Sequence, residues 1–128
     1  MSFSIFGAMK FFTQRIICLF LFCFCIIFFA YAGKVYNFDA TCQQAYREIT
    51  SLRLENGQRL TALARQQNPD NLIPDLLDSY ADFFVLFFNE DPEELKIRKP
   101  HFDEYLDRLG DGPDSSPFYN YSRSVVLI

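Results

Sequence analysis

The chain has 128 residues, of which 50% are hydrophobic, and its formal net charge is −4. The charges are unevenly distributed, because residues 1–32 contain no acidic side chain and only two basic ones, Lys10 and Arg15. Residues 33–128 therefore carry 10 basic side chains (12 − 2) against 16 acidic ones, a net charge of −6. This acidic balance argues against nucleic acid or an anionic membrane surface as a partner.

The N-terminal segment, residues 1–32, has the pattern of an export signal. Its two basic residues precede an apolar run at 16–30 that contains no charged side chain. Such a run partitions into the membrane while the positive end stays on the cytoplasmic side. The pattern predicts that the chain is exported, to the periplasm or another part of the cell envelope.

The triplet Ala30-Tyr31-Ala32 ends this segment and matches the small-x-small pattern that fits the narrow subsites of signal peptidase. We predict cleavage after Ala32, which makes the segment a signal peptide and Gly33 the first exported residue. The alternative is an uncleaved anchor in the inner membrane. In that case residues 11–32 form the transmembrane helix, which needs about 20 apolar residues.

Cysteine usage separates the two parts of the chain. Three of the four cysteines lie in the apolar run, and only Cys42 remains in the exported part. A single cysteine cannot form an internal disulfide, which excludes a small secreted fold held by disulfides. We expect Cys42 to be a buried core residue. With 96 residues (128 − 32), the exported part can form one domain with a modest core.

The exported part begins with an extended segment and two predicted helices. Residues 33–38 form either a brief strand or a linker. Asp39 can cap a first helix that runs to about Ser51, and a second helix over 54–67 ends before Pro69. The apolar positions at three- and four-residue spacing are Cys42, Ala45, Tyr46 and Ile49 in the first helix and Leu60, Leu63 and Ala64 in the second.

The third predicted helix has the clearest pattern. Asn71 can cap it, and Pro74 lies in its first turn, where a missing N–H is harmless. The apolar stripe comprises Ile73, Leu76, Leu77, Tyr80, Phe83, Phe84, Phe87 and Phe88. Asp75, Asp78 and Asp82 fall on the other face. We expect this helix to be the packing centre of the exported part.

Two more helices follow in the sequence. Asp91-Pro92 supplies a cap and a first helical residue, while Pro100 predicts a kink or a break before the apolar stripe resumes. Ser116-Pro117 starts a last helix in the same way. The repeated order of helix, turn and helix predicts an all-α fold of antiparallel helix pairs.

Residues 38–71 resemble the tetratricopeptide repeat, a helix-turn-helix unit of about 34 residues. With Pro69 as the closing proline, three small residues occupy the positions where the paired helices of that family touch. They are Ala45, Gly57 and Ala64. The chain departs from the family pattern at Thr41 and Thr61, where bulky residues are usual.

The resemblance implies that residues 33–128 form a short right-handed α-solenoid of stacked helix pairs, preceded by the signal or transmembrane helix. It also implies a scaffold or binding role, as in similar exported helical-repeat proteins of Gram-negative bacteria whose function is unassigned. Because such arrays need at least about three repeats, we expect the array to be truncated at residue 128 and to continue beyond it.

The residues that carry chemistry form no recognisable catalytic pattern. His101 is the single histidine, and with Cys42 as the single exported cysteine a zinc site has too few ligands. The acidic run at 89–94 lacks the alternating ligands and the glycine of a calcium loop. We therefore expect no enzyme activity, no metal, no cofactor and no nucleic-acid partner.

The apolar run at 83–88 has two interpretations. As part of the core, it places Phe84 and Phe87 between helices. As a partly exposed groove, it would bind a peptide or a helix. The predicted surface for such a partner comprises Phe83, Val85, Leu86 and Phe87.

The predicted function is that of an exported scaffold or interaction module that binds an unidentified protein or peptide. Two alternatives remain open. One is the N-terminal helical region of a larger envelope enzyme. The other is a structural subunit anchored in the membrane through residues 11–32.

Overall fold

The computed structural model describes residues 3–29 and 33–127, and the regular secondary structure in these ranges is helical. The helices are α1 (Phe3–Phe29), α2 (Ala40–Thr50), α3 (Leu54–Gln67), α4 (Ile73–Asn89), α5 (Pro92–Leu109) and α6 (Pro117–Val126). The predicted all-α class is thereby confirmed. The chain divides into two compact units, Met1–Ala32 and Gly33–Ile128.

The first unit consists of α1. Between residues 5 and 21 nearly all of its side chains are exposed, and Phe11 and Phe20 are among them. In the described part of the chain, no helix combines the length and the apolar character needed to cross a membrane. Ala30 and Ala32 lie outside the described residues, so cleavage after Ala32 stays a prediction.

The second unit starts its helices at the residues that the sequence marks as caps. Asp39 accepts a hydrogen bond from the backbone N–H of Cys42 at 2.9 Å, and Asp91 accepts one from Glu93 at 2.9 Å. Ser116 caps α6 with its side chain in the same way. These bonds satisfy backbone N–H groups that have no partner within a helix. The helix starts predicted at these three residues are confirmed.

Pro100 does not break α5, which continues from Pro92 to Leu109. Of the two outcomes predicted for this proline, the break is therefore wrong. Proline removes the hydrogen bond to the carbonyl four residues earlier, here that of Lys96. Pro100 and Lys96 are both exposed, so water can bind this carbonyl and the helix tolerates the loss.

Helix α4 lies at the centre of the second unit and contacts α2, α3, α5 and α6. A core cluster formed with α2 and α3 comprises Cys42, Ala45, Ile49, Leu60, Ala64, Ile73, Leu77 and Ala81. A cluster on the side of α5 and α6 comprises Leu72, Leu76, Tyr105, Leu109 and Val126. The predictions that this helix is the packing centre and that Cys42 is buried are confirmed.

One prediction about α4 is wrong, and one of its faces is more covered than the sequence pattern indicates. Asp75 and Asp82, predicted on the face opposite the apolar stripe, are only 6% and 4% exposed, because helices cover α4 on both sides. Phe87, expected between helices, is 62% exposed, and Phe84 is half-buried. Since α4 has 17 residues and α2 has 11, α4 is about 9 Å longer at 1.5 Å per residue. Its last turn therefore extends past the core that it forms with α2 and α3.

The extended segment before α2 pairs with the loop between α3 and α4. Val35 donates its N–H to the carbonyl of Asp70 at 2.9 Å and accepts from the N–H of Leu72 at 2.8 Å. The hydroxyl of Tyr36 donates to the carbonyl of Leu109. The segment thus forms an isolated parallel bridge and ties this loop to the end of α5.

Helices α2 and α3 come into close contact at small residues. Ala45 and Ala64 are fully buried. A Cβ atom at Gly57 would overlap with the side chain of Ile49 and would lie 3.2 Å from its backbone nitrogen. The close contact predicted at Gly57 is confirmed, and only glycine fits there without movement of α2.

We expect Gly57→Ala to destabilise the fold. Overpacking costs about 1–3 kcal/mol, and alanine returns about 1 kcal/mol through its helix propensity. Because the backbone of Ile49 limits adjustment, the net loss should be about 1–2 kcal/mol. Denaturant unfolding followed by circular dichroism measures it. Gln58→Ala, at the adjacent exposed position, is the control. A Gly57→Ala midpoint equal to or above that of the parent would show that α2 and α3 do not touch there.

Candidate functional site

A groove with a volume of about 470 Å³ opens between the C-terminal half of α4, α5 and the end of α6. Its apolar lining comprises Phe83, Leu86 and Phe87 from α4, Leu95, Phe102 and Leu106 from α5, and Val126 and Leu127 at the end of α6. Two charged residues of α5, Lys99 and Asp103, complete the lining. We call this feature the α4–α5–α6 groove.

The wall that α4 contributes is aromatic. Phe83 and Phe87 stack with their ring centroids 5.8 Å apart, and Phe88 meets Phe87 edge-on at 5.1 Å. Phe87 is 62% exposed and Phe88 is 57% exposed. Aromatic pairs of these geometries contribute about 0.5–1.5 kcal/mol beyond burial. The rings therefore hold one another in place although water reaches them.

The floor of the groove belongs to the core. Val126 is 2% exposed and lies in the core cluster on the side of α5 and α6, against which Phe102 and Leu106 also pack. At the edge, Leu95 is 50% exposed and Leu127 is 69% exposed. A packed floor with an open apolar edge is accessible to the side chains of another chain.

The sequence predicted part of this groove. Three of the four residues expected to form an interaction surface line it, namely Phe83, Leu86 and Phe87. Val85 is half-buried and does not belong to the lining. The role of these residues in binding stays a prediction.

The contribution of α5 and α6 to the groove was not predicted. Leu95, Phe102 and Leu106 are spaced by seven and four residues, which places them on one face of a helix. That spacing was the available signal. Nothing in the sequence, however, indicated that this face would lie beside Phe87.

A buried carboxylate fixes α5 beside the groove. The side chain of Asp82 is 5% exposed and pairs with Arg98 at 2.5 Å. Tyr105 donates its hydroxyl to Asp82 at 2.9 Å, and Nδ1 of His101 lies 2.9 Å from the same oxygen. Arg98 also pairs with Glu94 at 2.7 Å. Partners from successive turns of α5 thus replace the water that a buried charge loses.

Neither the Tyr105 hydroxyl of this cluster nor the buried Cys42 thiol offers a free base or nucleophile. Burial and the charge of Asp82 raise the pKa of the Tyr105 hydroxyl, so it remains a donor to Asp82. Burial, with a smaller contribution from the charge of Asp39, raises the pKa of the Cys42 thiol to about 12. A thiol with so high a pKa is not a nucleophile at neutral pH.

A second set of ion pairs joins α3, α4 and α5. Asp75 pairs with Arg65 at 3.3 Å and with Arg108 at 2.8 Å, and Arg65 also pairs with Asp78 at 2.8 Å. Burial raises the pKa of Asp78 although Arg65 acts in the opposite direction. These residues border a polar cavity of about 380 Å³. Since their charges are satisfied by one another, we interpret this cluster as a structural connection across α4.

The potential metal-ligating side chains are dispersed over the described residues. Among residues 3–29 and 33–127, no three His, Cys, Asp or Glu side chains cluster in a way that could hold a metal ion. Nδ1 of His101, the single histidine of the chain, contacts Asp82. The absence of a metal from the function stays a prediction.

Compared with known proteins, the sequence matches no protein-family model, and no curated protein or solved structure is significantly similar to it. The resemblance to the tetratricopeptide repeat therefore stays a prediction. The α4–α5–α6 groove and the ion pairs beside it are the features from which a function can be inferred.

We expect Asp82→Asn to lower the free energy of unfolding by about 2–4 kcal/mol, because Arg98 loses its buried counter-charge. Urea denaturation of the variant and its parent measures the difference. Asp107→Asn removes the same charge from an exposed position on α5 and should change the free energy by less than about 0.5 kcal/mol. Equal effects of the two substitutions would contradict a role for Asp82 in holding α5 to α4.

Proposed function

We propose that the exported part of the chain is a helical-repeat scaffold that binds a protein partner in the α4–α5–α6 groove. The observation that carries this proposal is the apolar groove itself, at whose edge Phe87 and Leu95 are exposed. Contiguous exposed apolar surface commonly marks an interaction site. An amphipathic helix or apolar peptide laid into the groove would remove both apolar surfaces from water.

The contacts between helices support the repeat architecture. Each helix of the second unit contacts the next one along the chain, and α4 also contacts α2 and α6. Stacked antiparallel pairs produce such contacts between neighbours and between alternate helices. The pattern favours an α-solenoid in which α2–α3 and α4–α5 are successive pairs and α6 begins a third.

The state of the polar residues supports a scaffold rather than an enzyme. Asp75 and Asp82, the buried carboxylates of α4, are held by arginines of α3 and α5. The Cys42 thiol is buried and protonated at neutral pH. Catalytic acids and bases need access to substrate and a pKa near the working pH. The groove, in contrast, offers mainly shape and apolar surface.

The scaffold is proposed to act in the periplasm or elsewhere in the cell envelope. Helix α1 then belongs to a signal peptide that is cleaved after Ala32. Two features support this: the run without charged residues at 16–30, and the exposed apolar side chains of α1 between residues 5 and 21. A signal peptide needs an accessible apolar helix of this kind when it enters the membrane.

Cleavage can be tested directly. N-terminal sequencing and intact mass of the exported product should show a chain that begins at Gly33. Ala32→Phe places a bulky side chain in a narrow subsite of signal peptidase and should leave the precursor uncut. Ala8→Phe, a matched change within α1, should be processed normally. A parent product that retains residues 1–32 would contradict the proposal and favour the anchor alternative.

Partner binding can be tested in cells by photo-cross-linking at the groove. Phe87 is replaced by p-benzoylphenylalanine, which keeps an aromatic ring at this exposed position. The same replacement at Tyr46, an aromatic residue of α2 that is 41% exposed and does not line the groove, is the control. After irradiation, mass spectrometry identifies the peptide that is joined to position 87.

We expect position 87 to form a defined adduct with a peptide that carries apolar residues at helical spacing, and position 46 not to form it. Leu95→Asp, which places a charge at the opposite edge, should abolish the adduct. If adducts form equally at positions 46 and 87, or do not depend on Leu95, the groove is not the binding site.

A further inference from the structure

The rim of the α4–α5–α6 groove carries two opposite charges on one helix. Lys99 and Asp103 are one turn apart on α5, both exposed, and both line the groove. Neither takes part in an ion pair within the part of the chain that the structure describes. Most other charged side chains of α5 are paired, for example Lys96 with Glu93. The groove therefore presents one positive and one negative side chain to any charged group that enters it.

This arrangement is complementary to itself. When two α5 helices lie antiparallel about a two-fold axis, Lys99 of each copy faces Asp103 of the other. The same operation brings Leu95 of each copy opposite Leu106 of the other. The midpoints of the two pairs fall at positions 101 and 100.5, which differ by about 0.8 Å along a helix. One axis can therefore form both ion pairs and both apolar contacts.

We propose that the occupant of the groove is a second copy of this chain, bound about a two-fold axis that passes close to residue 101 of α5. This inference rests on the proposed function of the groove as a protein-binding site, and it names the partner. A two-fold interface uses the same patch on both copies and must be self-complementary, as the order of Leu95, Lys99, Asp103 and Leu106 is. The exposed ring of Phe87, which also lines the groove, borders the same contact.

The size of the patch determines the strength of association. The groove is lined by 10 residues, whereas a stable interface of standard size has about 20–30 residues on each side. The dimer is therefore weak and concentration-dependent. The ion pairs fix its orientation, and the apolar residues supply most of the surface that leaves water.

The test measures self-association of the chain in the form that cells produce from the full sequence. Sedimentation equilibrium is recorded between about 10 µM and 1 mM, where a weak dimer dissociates. Lys99→Asp and Asp103→Lys each replace two attractive contacts across the axis by two repulsive ones, so each should weaken association by about tenfold or more. An equimolar mixture of the two variants restores opposite charges at both contacts and should associate more tightly than either variant alone.

Controls separate this contact from unfolding and from general charge effects. Lys99 and Asp103 are exposed, so both variants should melt like the parent by circular dichroism. Arg59→Asp changes the net charge as Lys99→Asp does, but at an exposed position on α3. It should leave association nearly unchanged. If it weakens association as much as Lys99→Asp does, the specific contact is disproved.

The remaining outcomes distinguish this inference from the proposed function on which it rests. If the chain stays monomeric at the highest concentration, the proposal that a second copy occupies the groove is disproved. The same holds if a dimer forms whose affinity does not depend on the charges at positions 99 and 103. If position 87 then cross-links to a peptide of another protein, the groove is still a protein-binding site. If the chain forms no dimer and position 87 forms no specific adduct, both proposals fail.

Discussion

Asp75 and Asp82 are both buried in helix α4, which contacts every other helix of the second unit. A carboxylate that leaves water is tolerated only where cations and hydrogen-bond donors replace the solvent. Arg65 of α3 and Arg98 and Arg108 of α5 supply this replacement. Apolar contact has no direction and permits several rotations of neighbouring helices, whereas these ion pairs permit few. The positions of α3 and α5 relative to α4 therefore depend on the two aspartates.

The anchoring of α5 also explains why the groove stays open. Arg98, His101 and Tyr105 lie on one face of α5 and are held at Asp82. The adjacent face, which carries Leu95 and Phe102, is thereby turned toward the end of α4. With α5 held in this position, Phe87 and Phe88 in the last turn of α4 stay exposed. An exposed apolar surface thus follows from a polar constraint.

Features that depend on a few neighbouring residues could be predicted from the sequence. Asp39, Asp91 and Ser116 act as caps because a side chain bonds to a backbone N–H only two or three residues ahead. The contact at Gly57 also followed from its place in a recognisable helix pair. These signals suffice for the all-α class and for most of the helix boundaries.

Features that depend on the packing of distant elements could not be predicted. A stripe of eight apolar residues on α4 indicates an amphipathic helix with one polar face, but that face is covered because α4 is central. The aspartates on it are buried by partners 10 to 33 positions away, Arg65 and Arg108 at Asp75 and Arg98 at Asp82. Phe87 belongs to the stripe but is exposed, since α2 and α3 are shorter than α4. The sequence located one wall of the groove and missed the other.

Two electrostatic effects of different range act on a groove of this composition. Residues 33–128 have a net charge of −6, so any two copies repel one another at a distance. This repulsion opposes indiscriminate contact between exposed apolar surfaces, but at physiological ionic strength it is screened beyond about 8 Å. Contacts between Lys99 and Asp103 act within a few ångströms, where screening is weaker, and they exist only in one relative orientation. In residues 33–127, Lys99 and Asp103 have no internal ion-pair partner and lie beside an apolar groove on an acidic domain. This combination disfavours most encounters and leaves the antiparallel one attractive.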